Sequence, residues 1–74
     1  MNKAILYTPI GEKKGRFLEK SLKDQEIPFI VISEVEEIYA AGVSEVPTLE
    51  VEKQRYRFEE AKEWIRGKAH ENKE

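Results

Sequence analysis

The sequence predicts an α/β domain with a mixed four-stranded sheet and the element order β-α-β-α-β-β-α. Three observations predict it. Short apolar runs, "KAILYT" at Lys3–Thr8 and "FIVI" at Phe29–Ile32 among them, alternate with segments of helical spacing. A strand–helix–strand unit this short closes as a parallel pair with a right-handed crossover. The last two strands are separated only by Glu52-Lys53-Gln54, a spacing for an antiparallel hairpin.

The chain has 74 residues, 39% of them hydrophobic and 38% charged. A domain this small buries roughly 60% of the surface its unfolded chain exposes, so almost every large apolar residue belongs in one core. Residues 1–67 form that domain, and the polar segment 68–74 is expected to fray.

The first strand ends at Thr8-Pro9, and Ile10–Lys13 is a loop. A helix over Lys14–Gln25 follows, with Phe17, Leu18, Ser21 and Leu22 on one face. Pro28 keeps Ile27 out of it. Four consecutive apolar residues at Phe29–Ile32 fit an interior strand covered on both faces. Ser33 and Glu36 have capping-box spacing. They open a short helix that turns Val35, Ile38 and Tyr39 inward and stops at Gly42. Strands at Thr48–Val51 and Arg55–Phe58 come next. A helix over Glu59–Gly67 closes the chain, with Ala61, Trp64 and Ile65 inward.

Thirteen Lys and Arg against fifteen Asp and Glu leave a net charge of −2. That balance does not favour nucleic-acid binding, which needs concentrated positive charge. No apolar run is long enough to span a membrane, and Met1–Leu6 has no signal-peptide pattern. There is no cysteine, hence no disulfide and no thiolate metal site. His70 stands alone in a charged segment, without a second metal ligand at a usable spacing. A cytoplasmic monomer without cofactor is the expectation.

Four segments, "ILYT", "IPFIVI", "GVSEVPTLEV" and "RFEEAKEWI", together resemble a glutaredoxin over residues 3 to 67. The likeness is greatest to the small glutaredoxin-like proteins that donate electrons to ribonucleotide reductase. It implies a thioredoxin fold of glutaredoxin type. In that family the strand ending in Tyr-Thr leads to a Cys-x-x-Cys motif at the first helix. Counting from Tyr7 and back from Ile27 places those cysteines at Glu12 and Gly15, where this chain reads "EKKG".

The family's chemistry needs a thiolate at a helix N-terminus, where the dipole and free N–H groups lower its pKa. That thiolate attacks a disulfide sulfur. The one sulfur here, the thioether of Met1, forms no disulfide. These 74 residues therefore carry no dithiol–disulfide exchange.

Glu12 reads as ordinary helix-start stabilisation, or as a fixed negative charge in place of the thiolate. Tyr7 lies where some glutathione transferases, built on the same fold, place a thiol-activating tyrosine. Those enzymes add a helical domain, so a packed strand tyrosine is the plainer reading. The resemblance implies a cis Val46-Pro47 peptide whose valine backbone pairs with an incoming ligand; a scaffold role for the bend is the alternative. Glu45 replaces a threonine of the family's glutathione site, and Arg57 and Phe58 stand where small residues would admit the tripeptide. Both departures weigh against glutathione. Lys13, Lys14 and Arg16 cluster where helix N–H groups favour anions, and Arg55 and Arg57 have the spacing of one strand face.

The expectation is a redox-inactive binding module. Its groove lies between the Glu12–Gly15 loop, with Lys13 and Lys14, and Val46-Pro47, flanked by Tyr7. The expected partner is a protein, such as a reductase or a ribonucleotide reductase subunit, with no nucleic acid or membrane. A binder of glutathione or another small anion, and a structural subunit, are the alternatives.

Overall fold

The structure, a computed structural model, describes residues 3–72, with side chains through Lys68. Its strands are β1 (Ala4–Tyr7), β2 (Phe29–Ile32), β3 (Thr48–Val51) and β4 (Gln54–Tyr56). Its helices are α1 (Lys13–Asp24), α2 (Val35–Ala40) and α3 (Phe58–Asn72). The sheet order is β2-β1-β3-β4, with β1 and β2 parallel and the other pairs antiparallel. The element order and the mixed four-stranded sheet are those the sequence predicts.

Alternation along β1 decides which residues meet which layer. Ala4 and Leu6 join Leu18 and Leu22 of α1, Leu49 of β3, and Ala61 and Ile65 of α3 in the main core. Tyr7 faces the other way and packs with Ile38 of α2 and Val43, flanked by Ile5 and Ile32.

Both shorter helices end alike. Glu26 (φ 57°) and Gly42 (φ 78°) each adopt the left-handed conformation just past a helix end. After α1, Glu26 N–H donates to the Lys23 carbonyl and Ile27 N–H to that of Leu22, each at 3.0 Å. After α2, Gly42 N–H donates to Tyr39 at 3.0 Å and Val43 N–H to Ile38 at 3.3 Å. These paired bonds satisfy carbonyls that a helix end otherwise leaves open. They also steer Ile27 and Val43 back onto the two apolar clusters.

Several expectations need correction. β2 is an edge strand, with Ile30 and Val31 exposed, because β1 takes its other neighbour from β3. In α2, which has six residues, only Ile38 is buried; Val35 and Tyr39 are exposed. The Ser33 capping box is not formed, since Glu34 holds the N-cap position without a side-chain bond. Phe17 is half exposed and lies edge-on to Phe58, with ring centroids 5.9 Å apart, at the α1–α3 seam. Trp64 is partly buried against Tyr56. The hairpin turn is Glu52-Lys53, both at positive φ, so Gln54 belongs to β4 and pairs with Val51. Helix α1 begins at Lys13, and α3 runs past Gly67 to Asn72. Met1, Lys73, Glu74 and the side chain of His70 lie outside the described residues.

Candidate functional site

Topology brings Tyr7 and Val46-Pro47 to one end of the sheet. Tyr7, the last residue of β1, is paired with Thr48, the first of β3, so Val46-Pro47 enters the sheet beside it. The Val46-Pro47 peptide is cis. Pro47 is buried and Val46 is 40% exposed. Thr48 Oγ1 donates to the Glu45 carbonyl at 2.6 Å and ties the bend to the strand.

Helix α1 reaches the same end through Thr8 and Gly15. A Cβ on Gly15 would overlap Oγ1, Cβ and Cγ2 of Thr8, so only glycine allows the helix this close. Thr8 Oγ1 is buried there without a hydrogen-bond partner among the described residues. The second cysteine position of the resemblance thus has no room for any side chain.

At the first cysteine position, Glu12 is the N-cap of α1. Its backbone is extended (φ −73°, ψ 122°), and Oε1 accepts from Gly15 N–H at 2.8 Å. The carboxylate therefore uses a helix N–H group that would otherwise be open to an anion.

The remaining expected residues divide. Lys14 does not face the Val46 bend; its ammonium lies 5.3 Å from the Phe58 ring centroid, with Lys62 at 4.8 Å from the same ring. Lys13 and Arg16 are exposed and form no ion pair among the described residues. Tyr7 is buried and packs with Ile38 of α2 and with Val43.

Arg55 and Arg57 are both engaged. The Arg55 guanidinium donates to Glu50 at 2.9 Å, to the Ala41 carbonyl at 2.6 Å and to that of Gly42 at 3.3 Å. It also lies 5.8 Å from the Tyr7 ring centroid. The hydrogen bond to Glu50 is the main cause that raises its pKa further above the ordinary arginine value. Arg55 thus joins the sheet to the end of α2 and to the loop that leads to Val46. Arg57 pairs with Glu45 at 3.3 Å.

Two clefts flank this end. One, about 200 Å³, is lined by residues including Ser44, Glu45, Arg57 and Glu60. The other, about 360 Å³, lies between the Thr8–Gly11 loop, Arg16 and Val31. Neither is lined by Tyr7, Val46, Pro47 or the Glu12–Gly15 loop. What this end of the sheet offers is an exposed Val46 before a cis proline, and a capped helix start. Among the described residues no three His, Cys, Asp or Glu side chains are grouped to hold a metal ion, and no helix is long and apolar enough to cross a membrane. No protein-family model, curated protein or solved structure matches the chain.

Proposed function

We propose that this chain is a glutaredoxin-like domain of thioredoxin fold, without redox chemistry, that binds a protein segment at Val46-Pro47. One observation carries the reading: Val46 is exposed immediately beside buried Pro47, at the sheet end that the α1 N-terminus also reaches. An extended segment laid along Val46 gains main-chain hydrogen bonds and an apolar contact together. The absence of cysteine supports binding without thiol exchange. The Glu12 cap supports a protein ligand over a small anion, because it sets a carboxylate where an anion would dock.

Affinity capture from the source cell, with native protein compared against Val46→Asp, tests this. The native domain is expected to retain a protein that Val46→Asp loses, with both forms equally folded by circular dichroism. Equal capture by both would exclude the Val46 bend. Amide shifts at Val46 and Thr48 on titrating millimolar glutathione would favour the small-anion reading instead.

A further inference from the structure

The two edges of the sheet are guarded differently. β4 is short and polar, with Arg55 in the strand and Lys53 and Arg57 flanking it. β2 lacks two of the features that block edge pairing: its four residues, Phe29–Ile32, include no cation and no proline. The Pro28 and Ile32 carbonyls accept from Ala4 and Thr8, each at 3.1 Å. Alternation then turns the N–H and C=O groups of Phe29 and Val31 away from β1. Ile30 and Val31, on opposite faces, are both exposed.

Charge indicates what pairs there. No Lys, Arg or His occurs between Asp24 and Glu52. Glu26 precedes β2 and Glu34 follows it. Ile38 of α2 is buried in the cluster against which Ile5 of β1 and Ile32 of β2 pack, and the helix exposes Glu36 and Glu37. None of these four carboxylates forms an ion pair among the described residues. On the α1 side, Arg16, Glu19 and exposed Ile10 share the cleft with Val31, so charge is mixed there. A second copy fits poorly. Antiparallel β2 strands would set Glu26 against Glu34, and parallel ones would set like carboxylates side by side.

We propose that β2 takes an extended segment of a partner protein as a fifth strand. That segment carries Lys or Arg on alternate residues facing α2, and apolar residues facing Val31 and Ile10. This site is separate from the Val46 bend.

The test uses two labelled eight-residue peptides, one alternating Lys with Val and the other Glu with Val, titrated onto the whole chain. The Lys peptide is expected to bind at least about tenfold tighter, with an advantage that shrinks as salt is raised. It should slow amide hydrogen exchange at Phe29 and Val31. Val31→Pro removes an outward N–H at an edge that tolerates proline, and Ile30→Lys places a cation on an exposed position. Each should weaken binding at least about fivefold while the fold persists. Equal binding of the two peptides, protection at Val46 and Thr48 instead, or unchanged binding by both variants would overturn the proposal. So would no binding up to about 2 mM, or a β2-paired dimer in sedimentation.

Discussion

The two faces of the sheet are held by different physics. On the α1–α3 face, Leu6, Leu18, Leu22 and Leu49 are fully buried and mutually packed. On the α2 face, three buried side chains and one arginine hold a six-residue helix and the loop that carries Val46. Apolar burial is not directional and supports the domain as a whole. Arg55 acts at chosen carbonyls, so it fixes where one loop lies. The face with the smaller apolar cluster is also the one that bears the candidate site, as expected when binding loops come from the less stable parts of a fold.

The largest expected contrast comes from truncating one residue on each face. Leu22→Ala should cost about 3 kcal/mol, near the middle of the range for buried leucines. Ile38→Ala should cost about 1–2 kcal/mol, because a thin layer can settle into the space left behind. Urea unfolding of both variants measures the difference, and equal losses would remove the asymmetry.

Gly15→Cys probes the seam between the main core and the site. The overlap with Thr8 predicts a loss of about 1–3 kcal/mol, as in other overpacked positions. The reciprocal change, Thr8→Val, removes a buried hydroxyl that has no partner among the described residues. It should leave stability unchanged or raise it by up to about 1 kcal/mol.

Smaller effects belong to the hairpin. Glu52 and Lys53 occupy a left-handed turn that Asn-Gly fills with less strain. The double change Glu52→Asn with Lys53→Gly should raise the thermal midpoint, by the equivalent of about 0.5–1 kcal/mol. It should not alter capture by the Val46 bend.

Element order was legible because each strand is a short apolar run and each helix shows its period. Edge position was not, since "FIVI" reads the same whether one neighbour covers it or two. Helix length misled for α2: one turn and a half has room for a single inward residue, Ile38. The role of Arg55 was hidden by register. A three-residue turn would set Val51 opposite Arg55, whereas the Glu52-Lys53 turn sets Glu50 there. A slip of one residue exchanges the two faces of a strand. The cis Val46-Pro47 peptide and the place of Glu12 at the start of α1 were legible through the resemblance. Lys14 was not placed, because only the tertiary packing brings it to Phe58.

The account rests most directly on Arg55 as the tie that holds the site-bearing loop independently of the main core. Native-state hydrogen exchange on Arg55→Ala tests it. The amides of Gly42, Val43 and Thr48 should lose protection by about tenfold or more, equivalent to about 1.4 kcal/mol. Those of Leu18, Leu22 and Leu49 should change little. Uniform loss across both groups would contradict the account, and so would unchanged protection at Gly42 and Val43.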